Sequence, residues 1–372
     1  MSRTAKKVRN GILICGAYGL GNAGDEAILS AILREVRTAA PDADITVLSR
    51  DPAETAARNG VKALYFFDLP GMHRVLSQTR LYINGGGSLI QDATSRRSLW
   101  YYLYTLHAAK RHGCRVLMYG CGIGPVTYPG DRAMTRRVLN RCADMITLRE
   151  SDSLRELEAL RVKKPEIILS ADPALTLTPA PEAEVDAVLE RAGIPPHGKY
   201  LCLALRNWKG YDKKAPVFGA AARYAWEKYG LTPVFTAIEK RQDPSAHRPA
   251  AAALDGIPHY FLDDAGDTGT IIGALSRMDV IVSMRLHALI FAAGQGIPLV
   301  GAVYDPKVSA FLRYMDEDLF TDLDTLTEPI LCGLLDKAVS RAGHPEAQAR
   351  AVAHLRDIES RNMDAVRRLW ER

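Results

Sequence analysis

The chain has 372 residues, 47% apolar and 24% charged, a composition that excludes a disordered chain or a disulfide scaffold. This is more than one core usually organises, so two domains with a cleft between them are expected. The 48 Lys and Arg against 43 Asp and Glu leave +5, too small a bias over this length to argue for nucleic-acid binding.

The basic stretch 1–10 runs directly into an apolar segment without a signal-peptide core, and no run of 18 apolar residues occurs, so a cytoplasmic protein is expected. Strand-like runs fall at 12–15, 45–48, 63–67, 81–83, 116–119, 145–148 and 167–169, with helical patterns at 25–36, 99–110 and 152–160. Such alternation predicts a mostly parallel sheet covered by helices. Around 172–184 the pattern stops in a stretch holding Pro173, Pro179 and Pro181, which reads as a linker. It resumes with strands at 201–205, 233–237, 260–262, 280–283 and 299–303, helices at 268–276 and 286–293, and a long polar helix at 346–369. The expected fold is α/β: two Rossmann-like domains, 1–175 and 176–345, facing each other across a cleft as in the GT-B architecture, followed by a C-terminal helix, 346–372. Cys15, Cys114, Cys121, Cys142, Cys202 and Cys332 are scattered, mostly in apolar runs, with no Cys-x-x-Cys spacing. They read as buried thiols, and no metal site is expected.

After the first strand comes Gly16-Ala-Tyr-Gly19-Leu-Gly21-Asn22-Ala-Gly24-Asp25-Glu26, which holds the spacing of a dinucleotide fingerprint. That fingerprint works by turning glycine amides and a helix N-terminus towards a pyrophosphate. Here Asp25 and Glu26 open the helix and would repel it, and the ribose-binding acid expected about 20 residues on is missing, so no cofactor is expected. The same carboxylates suit a neutral, polyhydroxyl ligand; the plainer alternative is that Asp25 caps the helix. A second loop, Asn84-Gly-Gly86-Gly87-Ser88, follows the 81–83 strand and precedes Gln91 and Asp92. Three consecutive glycines bring the backbone close to a ligand, with Ser88, Gln91 and Asp92 as candidate sugar contacts.

In the segment 279–298 a strand ends at Ser283 and a helix starts near Leu286, so Arg285 and His287 lie where open α/β sheets place ligands. An Arg at a helix N-terminus opposes the macrodipole and becomes sensible if an anion shares the site. Lys307 projects from the next strand end, and Arg149 stands at a strand end in the first half. Taken singly, each reads as an exposed cation or a satisfied His; together they suit a small, highly charged acid bound across the cleft.

The chain resembles the polysaccharide pyruvyl transferase family, close to its CsaB type. The resemblance rests on Gly21-Asn-x-Gly24-Asp25-Glu26, Asn84-Gly-Gly-Gly87, Leu148-Arg149-Glu150-x-x-Ser153, Ala171-Asp172-Pro173-Ala174, Arg285-Leu286-His287 and Tyr304-Asp-Pro-Lys307. It implies a GT-B-like fold, phosphoenolpyruvate as donor and a sugar acceptor, N-acetylmannosamine in a lipid-linked cell-wall precursor, which becomes a 4,6-O-ketal as phosphate leaves. Carried over, Arg149, Arg285, the Leu286 backbone and His287 form the donor set, with Lys307 added. His287 is the expected proton donor, and Asp25 or Asp92 the base. Acceptor contacts are expected from Asn22, Asp25, Glu26, Gly86, Gly87, Ser88 and Asp92. The motif Ala171-Asp172-Pro173-Ala174, at the linker, is expected to fix the hinge rather than to touch substrate. The aromatic stretch Arg96 to Tyr104 reads as a helix on its sheet whose aromatics line the acceptor cleft, with peripheral membrane contact the lesser expectation. A nucleotide-sugar glycosyltransferase and a non-enzymatic sugar- or anion-binding module are the alternatives; the sequence gives no oligomeric state.

Overall fold

A computed structural model describes residues 9–371; the basic stretch 1–8 lies outside them. The chain divides into two compact units, one of 1–20, 28–173 and 358–372, the other of 21–27 and 174–357. Unit 1 holds strands β1 (Gly11–Cys15), β2 (Asp44–Ser49), β3 (Lys62–Tyr65), β4 (Thr79–Ile90), β5 (Arg115–Ile123), β6 (Met145–Leu148) and β7 (Glu166–Leu169). Its helices are α1 (Ala23–Ala39), whose first turn counts with unit 2, α2 (Pro52–Asn59), α3 (Leu69–Leu76), α4 (Arg96–Arg111), α5 (Pro129–Cys142) and α6 (Ser151–Ala159). The seven strands are parallel in the order β3-β2-β1-β4-β5-β6-β7.

β1 shows why an apolar run becomes a central strand. Ile12 and Ile14 pack on one face against Ile28 and Ile32 of α1, while Leu13 and Cys15 point to the other, against Met72 of α3 and Leu103 of α4. Alternation of period two thus buries every side chain of a strand covered on both sides.

Two local expectations are corrected. α1 begins at Ala23, two residues before Asp25, and the Asn22 Oδ1 accepts from the Gly24 amide at 3.0 Å. The triple glycine is not a loop, because β4 runs through it, pairing Gly85 with Tyr119 and Gly87 with Cys121 of β5. A Cβ on Gly86 would lie 2.0 Å from Ile28 Cγ2, and one on Gly85 2.5 Å from the Tyr18 hydroxyl. These two glycines let α1 and Tyr18 pack directly on the strand.

Unit 2 holds α7 (Glu182–Arg191), β8 (Tyr200–Ala204), α8 (Ala215–Tyr229), β9 (Thr232–Thr236), α9 (Pro244–Ala251), β10 (Tyr260–Leu262) and α10 (Thr268–Leu275). It continues with β11 (Val280–Ser283), α11 (Leu286–Gly294), β12 (Leu299–Val303), α12 (Pro306–Tyr314), β13 (Phe320–Asp322) and α13 (Glu328–Ala342). Its parallel strands run β10-β9-β8-β11-β12-β13, and the short edge strand β13 carries too little pattern to be read from sequence. Leu201, Leu203 and Leu205 pack with Phe218 of α8 and Leu331 and Leu335 of α13. The last helix, α14 (Glu346–Glu371), belongs to unit 2 up to Asp357 and to unit 1 from Ile358, where Ala365, Val366 and Leu369 join the β1 and α1 core. All six cysteines are free, five buried and Cys332 half-buried.

Candidate functional site

In an open parallel sheet, ligands bind outside the carboxyl ends of the strands, where the chain order reverses. In unit 2 that point lies between β8 and β11. Ser283 pairs with Ala204 across them and with Gly301 of β12, so the segments following the three strands leave one edge side by side. Ser283 Oγ accepts from the Arg285 amide at 2.8 Å and fixes the turn into α11.

Arg285, 5% exposed, directs its guanidinium sideways to β9. Its Nε donates to Asp243 at 3.0 Å, an Nη donates to the second Asp243 oxygen, and the same Nη reaches Glu239 at 3.1 Å. Burial opposes the charge, but the neighbouring Asp243 and Glu239 carboxylates hold the guanidinium above its ordinary range. The anion that makes an arginine tolerable at this helix start is therefore the chain's own. Asp243 also accepts from the Ile238 and Glu239 amides at 3.0 and 2.8 Å, so one fully buried carboxylate shapes the β9 loop and places Arg285.

His287 is half-buried in the first turn of α11. Its imidazole lies directly on the Gly24 backbone: a Cβ there would be 1.9 Å from Nδ1. The start of α1 is held to unit 2 by the Ala23 amide, which donates to the Ile238 carbonyl at 3.0 Å, and by a bridge between Asn22 and Glu239. Asn22, Asp25 and Glu26 therefore lie with His287 and Arg285 in unit 2. The glycines of the fingerprint have individual reasons: Gly21, with φ of 80°, meets nothing within 4 Å and supplies a turn, whereas Gly24 admits the imidazole.

Lys307 starts α12 and pairs with Asp305 at 3.4 Å, its Nζ 5.9 Å from the centre of the Tyr304 ring. The Tyr304 hydroxyl accepts from Arg206 Nη1 at 2.8 Å, and the Arg206 guanidinium lies 5.4 and 5.1 Å from the ring centres of Trp208 and Tyr304.

In unit 1, Arg149 is 4% exposed at the end of β6. It donates to Glu150 at 2.9 Å, to Asp172 at 3.1 Å and to Ser88 Oγ at 3.0 Å. Burial pushes the Glu150 carboxyl up against the pull of Arg149, and Ser153 donates to the same carboxylate. Asp172, expected as a hinge residue, is a buried carboxylate partner of Arg149. Asp92, 5% exposed, accepts from the Thr127 amide and hydroxyl at 2.7 and 3.0 Å and from the Tyr128 amide at 2.9 Å, so it pins the segment after β5. α4 faces its sheet with Leu99, Leu103 and Leu106 and leaves Trp100 and Tyr104 exposed; the indole donates to Asp131 at 2.9 Å.

Sequence reading missed Asp243, Glu239 and Arg206, and it named Asp172 without its pairing to Arg149. A buried Arg demands an acid, so the existence of partners could have been anticipated. Their positions could not, since Asp243 lies 42 residues from Arg285 in a polar stretch without periodicity.

Two mostly parallel sheets with helices, each carrying charged residues beyond its strand ends, define an α/β protein of GT-B-like fold. Residues 22–306 match the family described as Polysaccharide pyruvyl transferase, and the chain belongs to that family of transferases. No curated protein matches the chain. Among solved structures, UDP-GlcNAc 2-epimerase from Neisseria meningitidis bound to UDP-GlcNAc is similar at TM-score 0.64 and 10% identity, over 97% of this chain and 100% of that one. A glycosyltransferase from Rickettsia africae gives 0.62 and 12%, over 97% and 98%. Anabaena Alr3699/HepE in complex with UDP and glucose gives 0.59 and 12%, over 96% and 97%. At these identities the likeness is one of fold. Among the described residues no helix is long and apolar enough to cross a membrane.

Proposed function

We propose that the protein moves the pyruvyl unit of phosphoenolpyruvate onto two hydroxyls of a sugar, forming a 4,6-O-ketal and releasing phosphate. The observation that carries this reading is the His287 imidazole, pressed on the Gly24 backbone beside a fixed Arg285, within a chain of the pyruvyl transferase family. Arg285, the Leu286 amide at the start of α11, His287 and Lys307 bind the donor, and Arg149 is assigned to the same set on the family motif. His287 as imidazolium gives a proton to C3 of the enol, and C2 becomes oxocarbenium-like. One sugar hydroxyl adds to C2 and yields its proton to a carboxylate. The second hydroxyl then displaces phosphate from C2, and its proton leaves with the phosphate. The proton held by the carboxylate returns to His287 before the next turnover, so that net one hydroxyl proton ends on C3 and one on phosphate. Asp25 is assigned as the base, because it stands in the first turn of α1, next to the Gly24 on which the imidazole lies; Asp92 holds Thr127 and Tyr128. Asn22 and Glu26 are proposed acceptor contacts, and Gly87 and Ser88 are assigned to the acceptor on the family motif; Gly86, packed against Ile28, is not. The acceptor is N-acetylmannosamine on a lipid-linked cell-wall precursor, met in the cytoplasm at the inner membrane face.

Incubation with phosphoenolpyruvate and an N-acetylmannosamine-containing acceptor should release phosphate and add one ketal per acceptor by mass spectrometry. Tight binding of UDP with no binding of phosphoenolpyruvate would overturn the reading in favour of a nucleotide-sugar glycosyltransferase.

A further inference from the structure

The three cations nominated in the sequence all carry carboxylates: Arg149 has Glu150 and Asp172, Arg285 has Asp243 and Glu239, and Lys307 has Asp305. A donor with a phosphate and a carboxylate needs positive charge that is not already neutralised. At the unit 2 sheet edge Arg206 meets that requirement, since no carboxylate lies within ion-pair distance of it among the described residues. Ala204 and Ser283 pair at the ends of β8 and β11, and Arg206 and Arg285 each follow two residues on, in the segments that leave the point where strand order reverses.

Its surroundings hold the side chain in place without neutralising it. Tyr304 takes a hydrogen bond from Nη1, and the flat guanidinium lies near the rings of Trp208 and Tyr304, which stand 4.9 Å apart. Aromatic faces attract a cation and leave its edge donors unengaged. Arg206 Nε is buried and donates to no acceptor among the described residues. Leaving a buried N–H without an acceptor is unfavourable, so such a group calls for an explanation. Nε and the second Nη of a guanidinium form the planar fork that matches two oxygens of a phosphate.

We propose that Arg206, steadied by Tyr304 and Trp208 at the β8–β11 switch point, binds the phosphate group of the donor. This rests on the reading of phosphoenolpyruvate as donor and adds the residue that receives its leaving group. During ketal formation the C2–O bond to phosphate breaks and its electron pair goes to the phosphate oxygen, so Arg206 faces the charge that grows as the group departs.

Phosphoenolpyruvate and inorganic phosphate are titrated separately by calorimetry into the full chain, as wild type, Arg206→Gln, Arg206→Lys and Tyr304→Phe, each checked for an unchanged melting temperature. Wild type is expected to bind both ligands. Arg206→Gln should weaken phosphoenolpyruvate about ten- to a hundredfold, the range for hydrogen bonds to charged groups. Arg206→Lys should recover part of the affinity, keeping the charge without the fork. Tyr304→Phe should weaken both ligands less than Arg206→Gln does and, with the lysine variant, decides the matter should the glutamine variant not fold. If phosphoenolpyruvate binds wild type and Arg206→Gln alike, the assignment of Arg206 is overturned and the donor reading stands. If wild type binds phosphate but not phosphoenolpyruvate, and Arg206→Gln loses the phosphate, Arg206 stands as an anion site and the donor reading falls. Binding of neither ligand by wild type overturns both.

Discussion

Replacing Gly24 by alanine tests the site with one methyl group. The new Cβ would lie 1.9 Å from His287 Nδ1, 2.3 Å from Cγ and 2.5 Å from Cε1, where ordinary contact begins at 3.4 Å. The ring or the start of α1 must therefore give by about 1.5 Å, and a misplacement of about 1 Å can cost about a hundredfold in rate. The backbone itself does not resist: Gly24 is helical, and alanine is favoured over glycine there by up to about 1 kcal/mol. Gly24→Ala should therefore lower kcat about a hundredfold or more while the melting temperature stays within a few degrees of wild type. Gly21→Ala is the control, because its Cβ meets nothing but its φ of 80° strains an L-residue by about 1–2 kcal/mol. That variant should lose stability and keep more of its turnover. The assay is phosphate release from phosphoenolpyruvate in the presence of acceptor, with thermal unfolding measured on the same samples. If Gly24→Ala turns over within about twofold of wild type with its melting temperature unchanged, the placement of the imidazole does not matter to the chemistry, and the proton-transfer role of His287 goes with it.

His287→Ala should lose turnover far more than affinity for phosphoenolpyruvate; normal turnover would withdraw the residue from the mechanism. Asp243→Ala leaves Arg285 buried without its main partner and should cost about 3–5 kcal/mol in urea unfolding, whereas a loss under about 1 kcal/mol would show that Glu239 alone suffices. In unit 1, Glu35 and Glu359 are buried beside Tyr119, which donates to Glu35; burial, then the Glu35 charge, pushes the Glu359 carboxyl from 4.5 up to about 8. A raised folded pKa gives stability that is complete below about pH 4.5 and lost as pH climbs through about 8. Glu359→Gln should therefore match wild type near pH 4.5 and exceed it near pH 8–9 by on the order of a few kcal/mol, read from melting temperature against pH; parallel curves would refute the coupling.

What the sequence disclosed follows from the range over which each determinant acts. Ile12 to Cys15 announce a strand because period-two burial is written in adjacent residues, and the turn from Ser283 into the helix at Leu286 is equally local. The glycine spacing at 19, 21 and 24 was visible, but its meaning was not: the spacing is the same whether Gly24 faces a pyrophosphate or an imidazole from residue 287. The same holds for charge. Arg149, Arg285 and Lys307 stood out as cations at strand ends, yet whether a cation is available to a ligand depends on acids the fold brings to it, Asp172 from 23 residues away and Asp243 from 42. Arg206, followed by an exposed Trp208, looked ordinary until Tyr304 arrived from 98 residues on to hold it. Residue type and strand-end position therefore identify where charge collects, while the tertiary pairing decides which charge remains unneutralised for the substrate; at the β8–β11 edge, that pairing leaves Arg206 for the phosphate beside the carboxylate-held Arg285.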